Sequence, residues 1–521
     1  MEENKWWTLS AVCVAIFMLL LDITIVNVAL PDIQKSLGAS FGDLQWVVSA
    51  YALSLAALLL AAGSLADLLG RRKVFVAGLI LFTLASLGCG LAGSPKVLIL
   101  ARAVQGIGGA VMFACSLSLI AGAFQGKERG TAFGIFGATT GAAVAIGPLV
   151  GGAITEAWGW EWIFFINIPI GILAVTIAMR RVAESKDPRA GGIDWPGVVL
   201  FSLGLFALVY ALERGNEDGW GSGLIVSLLI GAFVLLVAFV LVERARGSRA
   251  MLDLSLFRKP AFAGAAIVAF ALSSSMFAMF LYLTLYIQGV LGYAPLEAGL
   301  RFLPITLLSF FVAPIAGRLS VKIPVRLLLG GGLLLVGVGL LLMRGLEVTS
   351  SWTALLAGFL IAGAGIGMVN PPLVSTAVGV VHPSRSGMAS GIGNTFRQAG
   401  IATGIAGLGA IFQHQISTKT TAALASAPPA VRGRSHQIIE AFSAGQGRTA
   451  AANLPAGMRD TILTSYKTIF SGALDELLLV AGIVALIGAV AGLTLVRGRD
   501  FVATGPGAAS AEPALAPAAA G

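Results

Sequence analysis

The chain has 521 residues, 57% of them hydrophobic and only 11% charged, with a mean hydropathy of +0.91. A soluble domain carries about 25% charged residues, so a water-facing enzyme of this size is excluded, and the long Leu-, Ile-, Val- and Phe-rich blocks exclude disorder. The net charge of +9 raises the question of nucleic acid, but the bases sit in short segments between apolar blocks, where they report topology instead.

Apolar blocks broken by charges predict fourteen membrane spans, near residues 7–30, 45–65, 74–93, 97–122, 131–154, 163–179, 195–212, 223–242, 262–289, 297–317, 325–344, 353–377, 387–412 and 474–496. The first runs on from Trp6 to Leu30 without a credible cleavage site and is read as a retained helix, not a signal peptide. An even count places both termini on one side. With the N-terminus inside, the cytoplasmic segments hold 21 Lys and Arg residues and the short outer loops only five (Lys35, Lys96, Arg214, Arg301 and Arg344), which puts both termini in the cytoplasm of a cell (plasma or inner) membrane. Cys13, Cys89 and Cys115 lie in apolar blocks, and no Cys or His pair has ligand spacing, so neither a disulfide nor a metal site is expected.

In chain order, the first polar feature is Asp22 inside the first span, with Asn27 further along the same helix. A buried carboxylate that gains and loses a proton as its surroundings change is a workable coupling device, and a static hydrogen-bonded residue is the bland alternative. Next, GSLADLLGRRKV joins spans two and three: Gly63 and Gly70 allow close approach and a tight turn, and Asp67 can pair with Arg71 and Arg72 as a conformational latch. An ordinary positive loop would look similar. RAVQGIGGA sets Arg102 inside the fourth span with Gln105 one turn on. A guanidinium at that depth marks a functional site or interhelical glue. The fifth span gathers Gly141, Gly147, Pro148, Gly151 and Gly152, which suits a hinge, a seal between halves, or plain close packing.

The loop ERGNEDGW after span seven reads as an acidic outer loop. Span nine is rich in aromatic and Met residues, among them Phe277, Phe280, Tyr282 and Tyr286, and span thirteen places Asn394, Arg397 and Gln398 on one face. With Asn27 and Gln105 these form the expected substrate cavity, unless the aromatic stripe is lipid-facing or core. Asp22 is the only deeply placed acid recognised, since Glu297 lies toward the outer end of span ten beside Arg301. That favours large apolar substrates that are neutral, monocationic or weakly acidic over divalent cations. Residues 413–473 are expected to form a long, partly ordered external loop, with apolar residues at helical spacing around Ile438, Phe442, Tyr466 and Phe470. It is read either as a lid or as a surface-lying amphipathic segment. The Ala- and Pro-rich stretch 502–521 reads as a disordered cytoplasmic tail.

AGSLADLLGRRKV and AGRLSVKIPVRLL place Gly63, Leu65 and Arg72 in register with Gly317, Leu319 and Arg326. The repeat implies two six-helix halves with spans seven and eight inserted between them. The expected division is 1–182, 183–260 (insert and connectors), 261–501 and the tail 502–521.

Taken together, LDITIVNVALP, GSLADLLGRRK, RAVQGIGGA, GPLVGG, WEWIFFINIPIG, PLEAGLRFLP and NTFRQAG resemble the major facilitator superfamily, in particular its fourteen-helix drug:proton antiporters. The resemblance implies an all-α polytopic membrane protein of two six-helix bundles and two central inserted helices. It also implies proton-driven export of lipophilic drugs, antibiotics or related small molecules by alternating access, with no cofactor beyond the proton gradient. By resemblance, Asp22 would serve coupling or substrate charge, Arg102 would be proton-linked, Asp67 with Arg71 and Arg72 would form the latch, and Gly147 to Gly152 the antiporter helix motif. Leu68, where a base is common, and Glu161, where Arg is common, depart from that pattern. A membrane enzyme is disfavoured by the lack of HExxH and GxxxxGK[ST] motifs. An importer, or an exporter of one specific metabolite, is the alternative on the same fold.

Overall fold

The computed structural model describes residues 2–124, 126–186, 192–247, 250–320, 322–381, 386–425, 429–452 and 456–501. The tail 502–521 and the bases Arg189, Arg249 and Arg385 used for orientation lie outside them. Among the described residues there are helices and turns and no strands, as lipid requires of a chain that must satisfy its own backbone polar groups.

Among the described residues, thirteen helices are long and apolar enough to cross a bilayer. They are α1 (Glu2–Leu37), α2 (Phe41–Leu69), α3 (Arg71–Gly90), α4 (Pro95–Ala123), α5 (Gly126–Trp158) and α6 (Trp162–Arg181), then α7 (Trp195–Asp218) and α8 (Gly223–Arg246). The second half supplies α9 (Pro260–Val290), α10 (Pro295–Leu319), α11 (Val325–Leu342), α12 (Trp352–Ala377), α13 (Ser386–Leu424) and α14 (Ala456–Leu495). α13 is the fourteenth. Its glycines and the residues Asn394, Arg397 and Gln398 dilute its hydropathy, yet it is held among α2, α7, α9 and α14.

Helix starts are set locally. Ser40 and Asp43 form a reciprocal capping box at α2, Ser94 caps α4 ahead of Pro95, and Asp194 and Ser222 cap α7 and α8. α9 widens into i→i+5 turns at Ser273–Phe277 and Tyr286–Val290.

The packing follows the sequence repeat. α2 lies on α4, α1 on α5 and α3 on α6; correspondingly α10 lies on α12, α9 on α13 and α11 on α14. The halves meet along α5 with α10 and α2 with α13, two contacts that the repeat interchanges. α7 touches α8, α2 and α13, so the inserted pair leans on both halves.

The side bearing the N-terminus is termed the near side and the opposite the far side. The far side is closed by bonds between the halves: Gln288 Nε2 donates to the Val28 carbonyl at 2.7 Å, the Leu296 N–H to Glu156 Oε2 at 3.1 Å, and Gln45 Nε2 to the Ile405 carbonyl at 3.1 Å. Two sequence expectations are corrected here. The segment 413–473 is not mainly a loop: α13 continues to Leu424, α14 starts at Ala456, and helices Ser435–Ser443 and Gly447–Ala452 lie between. Ile438 and Phe442 are buried, Phe442 packs on Tyr466, and Arg448 donates to the carbonyls of Val290 and Leu291, so this segment caps the far ends of α9 and α14. Likewise ERGNEDGW is not a loop at its start, because α7 runs on to Asp218 and buries Glu213.

Candidate functional site

Inside the first half, five helices converge on one carboxylate. Asp22 of α1 is buried, as is Arg102 of α4. Arg102 Nη1 donates to Asp22 Oδ2 at 2.5 Å and to Gln105 Oε1 at 2.6 Å, while Gln105 Nε2 donates to Asp22 Oδ1 at 2.9 Å. Asn167 of α6 donates a third bond to Asp22 at 3.0 Å and a second to Ser86 Oγ of α3 at 3.0 Å, and Ser86 donates to the Phe164 carbonyl. Arg102 Nε reaches the Val47 carbonyl of α2 at 3.1 Å, and its guanidinium lies 4.2 Å from the centre of the Tyr51 ring. The three-residue spacing of Arg102 and Gln105 puts both on one helix face, which is why one turn of α4 supplies two donors to Asp22. This is a buried, charge-assisted network that ties α1, α2, α3, α4 and α6 to one carboxyl.

Gln105 therefore belongs to this network and not to a substrate cavity. Asp22 is enclosed by it too, so its carboxylate does not face the space between the halves. That space is lined by Ile23, Thr24 and Asn27 of α1, Pro148 of α5, and Phe277 and Phe280 of α9. The aromatic stripe of α9 divides by role. Phe277 and Phe280 face the cavity, whereas Tyr282 is buried in the far-side closure, its hydroxyl donating to the Ile405 carbonyl at 2.7 Å. Tyr286 is also removed from the cavity, stacked on Phe470 of α14. Asn394 and Arg397 line a second, near-side cavity with Phe262, Leu373 and Ser390, and Gln398 is half-buried beside them.

The latch residues meet as an ion pair across the α2–α3 turn and an unexpected cap. Arg71 bonds Asp67 at 2.8 Å, and the N–H groups of Arg72 and Lys73 donate to Glu184, which follows α6. The Arg72 side chain reaches Glu184 at 3.8 Å and the Val182 carbonyl at 3.3 Å. Gly70, at φ +116° and pressed against Glu184, leaves no room for a side chain. Gly63 is different: nothing lies within 4 Å of where its side chain would begin, so close helix approach does not require it here. In this conformation the latch ties α2 and α3 to the connector that follows α6, with no bond to the second half among the described residues.

In α5, Gly147 and Gly151 meet Thr24 and Ile25 of α1, while Gly152 meets the backbone of Pro295 and Leu296 of α10, and Gly141 faces Phe310. The glycine helix is thus a two-sided seam, packed against its own half on one face and the other half on the next.

The match to the family model of the Major Facilitator Superfamily covers residues 12–405. The chain belongs to the Major Facilitator Superfamily. It is accordingly a multi-pass membrane transporter of small molecules, not an enzyme. Among its relatives, the multidrug resistance protein Stp of Mycobacterium tuberculosis is 38% identical, over 82% of this chain and 80% of that one. The puromycin resistance protein pur8 of Streptomyces alboniger is 38% identical over 81% and 84%, and the tetracenomycin C resistance and export protein of Streptomyces glaucescens is 31% identical over 95% and 92%. A bacterial homologue of the human lysosomal transporter Spinster, solved inward-facing and unoccupied, superimposes with a TM-score of 0.62 at 18% identity, over 96% of this chain and 99% of that one. That likeness concerns the superfamily fold alone.

Sequence reasoning missed Asn167 and Ser86, although Asn167 stands in the segment WEWIFFINIPIG; a lone Asn carries no signal until its partner is known. It also missed Glu213. Its carboxyl is buried with the Ser49 hydroxyl of α2 beside it, near Tyr282, where α7 meets both halves. Glu243 near the other end of the inserted pair is buried too, but it accepts from the Leu252 N–H at 2.6 Å.

Proposed function

We propose that this transporter exports lipophilic drugs, antibiotics or related small molecules in exchange for protons, by alternating access. The near side is then cytoplasmic, with both termini in the cytoplasm of the cell membrane. Residues 1–182 and 261–501 act as the two moving bodies, and 183–260 is the inserted pair with its connectors. The proton gradient supplies the energy, and no further cofactor is needed.

The observation that carries this reading is the buried Asp22–Arg102 pair. A proton arriving on Asp22 cancels the charge that holds Arg102, leaving the guanidinium to the Val47 carbonyl, Gln105 and the Tyr51 ring. Val47 is two residues from Gln45, which bonds α13 of the other half. Protonation would therefore shift α2, the helix that helps close the far side, and so bias which side is open. Export is supported further by the relatives named for multidrug resistance, puromycin resistance and tetracenomycin C export.

The test is accumulation of a lipophilic fluorescent dye by everted vesicles on energisation, alongside drug susceptibility of a sensitive host. Wild-type vesicles should accumulate dye and lose it when the pH gradient is collapsed, and Asp22→Asn vesicles should equilibrate without concentrating it. Accumulation by the Asp22→Asn variant that matches wild type and still tracks the pH gradient would defeat the coupling assignment.

A further inference from the structure

Two arginines, Arg102 and Arg397, lie well within predicted spans, away from their ends, and they stand in opposite electrostatic situations. Arg102 is matched by Asp22. Arg397, on α13, makes no ion pair and no hydrogen bond among the described residues; the Phe277 ring lies 5.7 Å from its guanidinium carbon. The neighbouring helices offer no counterion. α9 from Pro260 to Val290 and α12 from Trp352 to Ala377 contain no acidic residue, and α2 carries only Asp43 and Asp67, occupied by Ser40 and Arg71. On α14, Asp475 is turned to the backbone of Gly345 and Leu346 on the far side, and Glu476 follows it at that end. Glu213 lies toward the far end of α7 beside Ser49.

Arg397 is half-buried. It lines the near-side cavity together with Asn394 and Ser390. Phe277, which it touches, also lines the central cavity together with Phe280. The guanidinium therefore lines the near-side cavity and lies 5.7 Å from a ring that lines the central one. An unpaired cation in such apolar surroundings is costly, and a ligand bringing one negative charge relieves that cost through a two-pronged, charge-assisted hydrogen bond. A neutral ligand gains nothing there, and a cationic one is repelled.

We propose that Arg397 is the anion-binding subsite of the transport path, and that the chain carries lipophilic anions best: aromatic or polycyclic molecules with one carboxylate or phenolate. The rings lie on Phe277 and Phe280 and the acidic group pairs with Arg397, with Asn394 as a polar neighbour. This rests on the export reading above and narrows its substrate class.

The experiment uses the full chain in energised vesicles of zwitterionic lipid with three dyes: anionic fluorescein, the cationic ethyl ester of rhodamine, and neutral Nile red. Wild type should move fluorescein in preference to the rhodamine ester. Arg397→Gln should lose fluorescein transport roughly ten- to a hundredfold while Nile red stays within about twofold, and Arg397→Lys should fall between. An unchanged fluorescein-to-Nile red ratio in Arg397→Gln, or a wild-type preference for the cation, overturns the anion subsite while leaving export intact. Failure of wild type to move any of the three removes the export reading and this inference with it. Phosphatidylglycerol is then added to the vesicles. If it abolishes wild-type fluorescein transport, the subsite belongs to a lipid headgroup and the proposal falls; persistence supports it. Fluorescein binding to solubilised wild type, competed by benzoate and not by benzylamine, decides the same question without a variant.

Discussion

Replacing Asp22 by Asn keeps the shape of the side chain and removes one charge from a buried network. In the native protein that carboxylate accepts from Arg102 at 2.5 Å, Gln105 at 2.9 Å and Asn167 at 3.0 Å, and both members of the ion pair are about 1% exposed. The variant leaves Arg102 buried without a counterion. Breaking one side of a buried pair costs about 3–5 kcal/mol, whereas replacing both sides is often close to neutral. Asp22→Asn is therefore expected to lose about 3–5 kcal/mol of stability, and Asp22→Asn with Arg102→Gln only about 1–2 kcal/mol, the residue of imperfect hydrogen bonding. Denaturant unfolding in mixed micelles reads the difference, and uphill dye accumulation reads coupling on the same samples. The double variant should recover most of the stability and none of the uphill transport. Equal stabilities of single and double variants would refute the charge-pair argument, and uphill transport by the double variant would remove the pair from proton coupling.

Gly152→Leu should force the backbone of α10 away from α5, since Pro295 and Leu296 occupy the space a side chain needs; the expected result is increased far-side labelling of single cysteines near Asn27, and unchanged labelling would show the seam is not that tight. Glu213 is buried with only the Ser49 hydroxyl beside it among the described residues, so Glu213→Gln should leave thermal stability equal to wild type or higher, and a loss above about 1 kcal/mol would mean the carboxylate is held by a stronger bond. Arg448→Ala removes the donors to the Val290 and Leu291 carbonyls; it should release the far-side cap, read as faster proteolysis between 425 and 455 with dye transport retained, and a cleavage rate equal to wild type would show that other contacts hold it. Phe280→Ala should lower Nile red transport because it removes a ring from the central cavity, while leaving the Asp22 network and protein stability in micelles nearly unchanged.

What the sequence by itself determined is the part of the problem that can be read one residue at a time. Lipid excludes charge, so hydropathy marks thirteen of the helices directly, and the repeat of Gly63, Leu65 and Arg72 at Gly317, Leu319 and Arg326 anticipates the paired bundles and the insert. Asp22, Arg102 and Gln105 stood out for the same reason: each is expensive where it lies. Which partner lowers that expense is a matter of which helix faces which, and averages along the chain hold no such information. Only the packing of α6 on α1 and α3 brings Asn167 and Ser86 to Asp22, and only the approach of Glu184 to the start of α3 supplies the acceptor for the Arg72 and Lys73 N–H groups. Hydropathy also misjudged helix ends. The polar residues of ERGNEDGW and of 413–473 read as loop, but α7, α13 and α14 continue into them because their exposed faces tolerate charge while Glu213 and Tyr466 turn inward. The same tertiary facing took Tyr282 and Tyr286 out of the cavity and left Arg397 in one without a counterion, since a span lists its residues and only its neighbours decide which of them meet lipid, core or open space.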